Sequence, residues 1–330
     1  MVSHRIIFDM SQKGTTSSNR IFNIAGLFSA IFVIIFTAYA LQLSDYVFYD
    51  SRPHRFLGLI VWVIMLVVLI NPFPIFYHHS RFFLMKLFLK VLASPLIGVP
   101  FFISWTTDQF VSLVTPFEDF SYTICYYTKI DFANPDFVEE INPCRSPVRT
   151  AIFVYGCVTF GYRIVESLRQ AYDNRKFIGE HQFYNSIKYS FSLLTVITAY
   201  KWRGGISSYF PAWLTFAIIS TLYSYYWDLK VDWKLLNFKS KNFLLRDKLT
   251  YKPRNYYLIM ISNFLLRVAW VATISQNVTD RAFGSPELFR LVTGSLEIFR
   301  RGIWNLLRIE KEQLKNAYIF KAVHPRQQRL

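Results

Sequence analysis

The sequence predicts an all-α, polytopic bundle of about 8–10 membrane helices, each built on ~20 apolar residues. Three observations carry that prediction. Of 330 residues, 53% are hydrophobic and 19% aromatic, and mean hydropathy is +0.24, which is unlike a soluble domain of this length. The apolar residues form long blocks. IFNIAGLFSAIFVIIFTAYALQL (21–43) and FLGLIVWVIMLVVLINPFPIFY (56–77) hold no charged side chain, and at ~1.5 Å per residue each reaches across ~30 Å of hydrocarbon. The third observation is that Lys and Arg crowd one set of loops, the positive-inside pattern.

Taken in order, residues 1–20 form a polar tail with Arg5, Lys13 and Arg20. The first apolar block is too long for a cleavable signal, so it is expected to act as a signal anchor. Its GLFSA (26–30) offers small residues suited to packing against another helix, including that of a second copy; a lipid-facing role fits equally well. The second span follows at 56–77. In 78–105, Arg81, Lys86 and Lys90 recur at helical spacing among Phe and Leu, a pattern open to a span or to an interfacial helix over 81–104. The block 106–128 is apolar but broken by Asp108, Pro116, Glu118 and Asp119, and an acidic loop occupies 129–149. Spans are predicted near 150–168, 185–200, 207–227 and 255–276, with a last helix over 285–309. This divides the chain into a cytosolic tail (1–20), two N-terminal helices (21–77), a main membrane domain (78–310) and a basic cytosolic tail (311–330).

The formal net charge of +16 is explained by loops 163–188 and 228–254 and by the tail, all on the cytosolic side if spans alternate. No basic-aromatic groove lies outside the apolar blocks, so nucleic acid is not an expected partner. Loops 129–149 and 277–285 then face the opposite side, where Asn277-Val278-Thr279 is a glycosylation sequon. Cys125 and Cys144 fall on that side too; their spacing is compatible with a disulfide and with two free thiols. No P-loop, GxSxG or HExxH motif is present, and the six histidines form no metal-ligand pattern, so neither a cofactor nor an enzymatic activity is expected. An inverted repeat is not evident either.

Ionisable residues inside or at the edges of spans are the informative feature: Asp108, Glu118, Asp119, Glu166, Lys188, Asp228, Asp232, Arg267, Glu297, Arg300 and Arg301. Each costs about 2.5–3.5 kcal/mol at a helix centre, so they must pair or line a polar cavity. Glu297 shares a helix face with Arg301 and lies close to Arg300. One carboxylate cannot neutralise two guanidiniums, so one positive charge is left over. Asp228 and Asp232 are four apart, on one face, and Arg267 and Trp270 are three apart. Single residues near helix ends are accounted for by snorkelling or by capping. Arg267 with Glu297, Arg300 and Arg301 instead describes a cavity for a small oxyanion, because guanidinium forks hold phosphate oxygens in pairs.

The ordered blocks SRFFLMKLFLKVLASPL, TDQFVSLVTPFEDFSYTICYY, IKYS, STLYSYYWDLKVDWKLL, NFLLRVAW and LEIFRRGIWNLLRIEKEQL resemble the EXS family over roughly residues 80–315. That family includes plasma-membrane phosphate exporters with an N-terminal SPX domain that senses inositol pyrophosphates, and a shorter fungal Golgi protein named for defective retention of endoplasmic-reticulum residents. With residues 1–20 alone before the first block, the chain is most similar to the short type. The resemblance implies an EXS-type helical fold and a Golgi function: return of luminal phosphate, a by-product of glycosylation, to the cytosol. It implies a phosphate path at Asp108, Lys188, Tyr189, Asp228, Asp232, Arg267, Trp270, Glu297, Arg300 and Arg301. The exporters often carry Asn three residues after the first aspartate, where this chain has Val111. Inorganic phosphate and membrane lipids are the partners expected for a transporter. The alternative is a sorting or scaffold protein that retains Golgi glycosyltransferases, directly or through an adaptor, by its basic tail; loss of function on removing 311–330 would mark that case. Plasma-membrane residence is the alternative location.

Overall fold

A computed structural model of the chain describes residues 57–75, 78–129, 143–174, 181–274 and 286–323, with six further helical positions between 26 and 37. Asn277 lies outside the described residues. Nine α-helices and no strand occur among those that are described. The chain divides into two compact units, one reaching to Leu92 and one beginning at Ala93.

In the first unit, Gly26, Ser29, Ala30, Val33, Ile34 and Thr37 are helical, within the first apolar block. Helix α1 (Leu57–Ile70) has no charged side chain, and Val63, Ile64, Val67 and Ile70 are exposed along it. It stops because Asn71-Pro72-Phe73-Pro74 withdraws two backbone donors. The carbonyls this leaves open are collected by Arg81 of α2 (His78–Ile97). That buried guanidinium donates to Val68, Leu69, Asn71, Phe73 and Ile75. A charge that reads as one stripe of an interfacial helix is therefore a helix cap. Lys86 and Lys90 are exposed.

In the second unit the chain leaves α2 through Gly98, whose φ of +94° suits glycine, and Pro100 starts α3 (Phe101–Phe110). The block read as one stretch over 106–128 is divided: the helix breaks at 111–113, and α4 (Val114–Lys129) admits Pro116 in its first turn. Cys144, just before α5 (Arg145–Asp173), is bridged to Cys125 of α4, with Cα atoms 5.8 Å apart. Helix α6 (His181–Arg203) packs along α5. The approach is close, since a Cβ on Gly156 would lie 2.9 Å from Cγ1 of Val196. A 3₁₀ turn at Ser207–Tyr209 leads into α7 (Phe210–Trp227), which packs on α6.

After α7 the chain does not stay α-helical. Asp228–Asp232 forms a π turn, closed by the Trp233 N–H on the Asp228 carbonyl at 2.9 Å. The span predicted over 255–276 is α8 (Pro253–Val268) followed by a 3₁₀ segment, Ala269–Ile274. Helix α9 (Pro286–Val323) runs unbroken through residue 310, where the sequence placed the start of a tail, and Glu310 and Glu312 on it are buried. A core of Leu229, Trp233, Leu235, Leu245, Tyr256, Met260, Trp304 and Leu307 joins α9, α8 and the segment after α7.

Among the described residues one helix, α5, is by itself long and apolar enough to cross a membrane. The others are shorter, or carry the ionisable residues whose placement follows.

Candidate functional site

All ten residues proposed from sequence line one cavity of 360 Å³. Helix α3 brings Asp108, α6 brings Lys188 and Tyr189, and the π turn brings Asp228 and Asp232. The end of α8 and the 3₁₀ segment contribute Arg267 and Trp270, and α9 contributes Glu297, Arg300 and Arg301. Hydroxyls of Ser192, Thr195, Ser220, Thr221 and Ser224 complete the wall, and Val111 lines it as well. Glu118 and Asp119 stand apart from this cavity: Glu118 pairs with Arg290 at 3.0 Å, and Asp119 is exposed.

Charges here fall into two classes. Asp228 is saturated. Its Oδ2 accepts from Arg267 Nε and Nη2 (2.8 and 2.6 Å) and from Asn263 Nδ2 (2.9 Å), and its Oδ1 accepts from the Trp304 indole (3.1 Å). Arg300 grips Glu297 with two parallel bonds (2.7 and 2.6 Å) and donates to Asn263 Oδ1 (3.1 Å). The pairing predicted within α9 thus resolves in favour of Arg300. Arg301 reaches the same carboxylate through a relay: its Nε donates to Ser112 Oγ (2.7 Å), which donates to Glu297 Oε1 (2.6 Å). The guanidinium of Arg301 also lies over the Trp304 ring, 4.9 Å from its centre.

Among the described residues, neither Arg301 nor Lys188 has a carboxylate within 4 Å. The buried Lys188 ammonium lies over two aromatic faces, Tyr189 at 4.2 Å and Trp227 at 5.2 Å. Such contacts favour a cation while leaving its hydrogens available. The Trp270 indole donates to Thr221 Oγ1 at 3.0 Å, which fixes its ring on the cavity wall.

A second cavity of 420 Å³ touches the first. Both are lined by Asp108, Lys188, Tyr189 and Asp232, so these four side chains form the partition between them. The partition is braced from α5. Arg163 bonds Asp108 Oδ1 (2.9 Å) and Glu166 Oε2 (2.7 Å), and the Tyr189 hydroxyl donates to the same Asp108 oxygen (2.7 Å). Beyond it the second cavity is lined by Arg308, Lys311 and Lys315 of α9. Arg308 Nε is 3.9 Å from Asp232 Oδ1, and Lys311 donates to the Val231 carbonyl at 2.9 Å.

Sequence reasoning missed several members of this arrangement. Arg163 reads as one basic residue of a cytosolic loop, but it is 3% exposed within α5. Its spacing of three from Glu166, an acid at span depth, is the signal that finds it. Ser112, Asn263 and Trp304 carry no such signal, because the carboxylates their side chains hydrogen-bond lie 35 or more positions away in the chain. Among the described residues no cluster of His, Cys, Asp and Glu is arranged to hold a metal ion.

Comparison with known proteins gives concordant results. The EXS family model matches residues 1–314. Solute carrier family 53 member 1 of Homo sapiens is 31% identical over 337 residues, covering 98% of this chain and 47% of its own length. The Xenotropic and polytropic retrovirus receptor 1 homolog of Xenopus laevis is 30% identical over 334 residues, with the same coverage. Phosphate transporter PHO1 homolog 4 of Arabidopsis thaliana is 33% identical over 272 residues, 80% of this chain and 35% of its own. The chain spans about half the length of the first two relatives. With a family match over residues 1–314, this all-α chain belongs to the EXS family of membrane proteins.

Proposed function

We propose that the chain is a membrane transporter of inorganic phosphate, and not an enzyme, with its path running through the two adjoining cavities. One observation carries this reading: among the described residues Lys188 and Arg301, cations in a 360 Å³ cavity, have no carboxylate within 4 Å, while the neighbouring Arg267 and Arg300 are neutralised. Two uncommitted positive charges, with serine and threonine hydroxyls around them, suit a small oxyanion. The paired arginines keep the field moderate, so an anion is held weakly enough to leave. A relative of 33% identity bears the name of a phosphate transporter, which supports the substrate class. Lys188 lines both cavities, so an anion on its ammonium can pass from one to the other when the partition moves.

The phosphate gradient supplies the driving force in this reading, since no ATP-binding motif is present. In this reading the activity lies in the Golgi membrane, where it returns luminal phosphate to the cytosol and thereby supports glycosylation and retention of resident enzymes; the sequence resemblance to the short fungal EXS type supports that location. The test is phosphate flux into proteoliposomes by the wild type, Arg301→Ala and Lys188→Ala. Flux in the wild type and its loss in both variants, with unchanged melting temperature, is the expected result. Correctly inserted wild-type protein that moves no phosphate overturns the reading. For the location, luminal phosphate measured in isolated Golgi should rise when the chain is removed from cells; an unchanged level rejects the Golgi assignment.

A further inference from the structure

Between the π turn and α8 lies a segment that the transport path does not use. Residues 234–254 hold seven Lys or Arg and a single acid, Asp247. The segment is ordered. The Leu236 N–H bonds the Leu244 carbonyl at 2.8 Å, Ser240 donates to Asp247 at 2.8 Å, and the Asn242 side chain donates to the Arg246 carbonyl at 3.3 Å. Its feet are sunk in the core, with Leu235 and Leu245 1% and 0% exposed. Arg246 turns inward to Glu310 (2.6 Å), which also takes the Thr250 N–H at 3.0 Å.

What this scaffold presents outward is unusual. Phe238 and Phe243, 72% and 62% exposed, meet edge to face at 6.2 Å. Lys239 and Lys241 lie between them in the chain, and Lys234, Lys248 and Lys252 are exposed in the same segment. None of these five lysines has a carboxylate within 4 Å among the described residues. A tethered apolar tip with uncompensated lysines matches one chemistry well. Aromatic rings settle at the headgroup level of a bilayer, and lysine stems extend along it to reach anionic phosphates. A soluble acidic protein would satisfy the lysines but leaves no reason for a paired phenylalanine tip.

We propose that residues 234–252 form a docking element for an anionic lipid leaflet, with Phe238 and Phe243 inserted at headgroup depth and the lysines on acidic headgroups. The proposal is independent of what the cavities carry. It sets the lipid environment in which the adjoining π turn and α9 are held.

The test uses the full chain in lipid nanodiscs. A Cys157→Ser background removes the free thiol, and Phe238→Cys carries an environment-sensitive fluorophore, with Cys125 and Cys144 bridged and unreactive. In discs rich in phosphatidylserine the probe should shift to the blue and be quenched by headgroup-proximal spin-labelled lipid. Quenching should be at least about twofold stronger than in phosphatidylcholine discs, and salt at about 0.5 M should remove the difference. Lys239→Glu with Lys241→Glu should abolish the difference without lowering the melting temperature. A probe that stays in water in both discs overturns the proposal. So does equal quenching in both, or a response to dissolved inorganic phosphate in place of lipid.

Discussion

The surroundings of Asp228 and those of Lys188 and Arg301 lie on one cavity wall, yet they treat charge in opposite ways. Asp228 accepts four hydrogen bonds from three residues besides the pull of Arg300. Both of its oxygens are engaged, and removing Arg267 would leave a buried carboxylate without its ion pair. Lys188 and Arg301 are held by ring faces and one serine hydroxyl. The first arrangement fixes the relative positions of the π turn, α8 and α9. The second leaves charge available. In a buried polar site, saturation marks the frame and incomplete pairing marks the place where a ligand can act.

The comparison can be broken by substitution. Asp228→Ala is expected to have the largest effect, a loss of about 3–5 kcal/mol, because Arg267 is left as an uncompensated buried charge. Thermal unfolding of the purified protein should show it, and a near-normal melting temperature would remove Asp228 from the frame. Next is the tie between α4 and α5. Cys125→Ser with Cys144→Ser opens a closure of 19 residues and should cost about 3 kcal/mol, read as a lower melting temperature under oxidising conditions. Lys188→Ala should behave differently from both. Among the described residues it breaks no ion pair, so stability should move little, while phosphate flux falls about tenfold or more, the equivalent of one charge-assisted hydrogen bond. If Lys188→Ala unfolds the protein as readily as Asp228→Ala, the distinction between frame and ligand charge fails. The smallest effect is expected for Arg169→Ala. Its pair with Asp173 is exposed at 37% and 40%, and its loss should change stability by less than about 1 kcal/mol.

The sequence carried much of this cavity, but for uneven reasons. Charge at span depth identifies Arg267, Glu297, Arg300 and Arg301 without any knowledge of the fold, since the hydrocarbon penalty applies wherever the helix packs. Helical spacing foretold that Glu297 could serve one of its two arginines; Ser112, 185 positions away, then determines how the other is held. The same penalty marks Asp108 and Lys188, and the resemblance is what sets them, with Tyr189, on a phosphate path. Arg163 shows the limit of loop counting. The basic residues that follow it group it with the cytosolic loop over 163–188, whereas Asp108 and Glu166 hold it inside α5. Helix boundaries were read least well where the backbone departs from α geometry. The break at 111–113, the π turn and the 3₁₀ end of α8 all involve residues with unremarkable propensities, and tertiary contacts decide them.

That π turn has a consequence for register. A turn closed over five residues contains one residue more than an α turn. An α-helix advances by about 100° per residue, and deleting Val231 would therefore restore a regular helix only by rotating everything beyond it. Asp232 would leave the partition, and Trp233, fully buried, would leave its pocket. The extra residue acts as a spacer: it sets the two aspartates to different tasks, one in the frame and one at the junction of the cavities. Lineages that lose the spacer should lose both arrangements together.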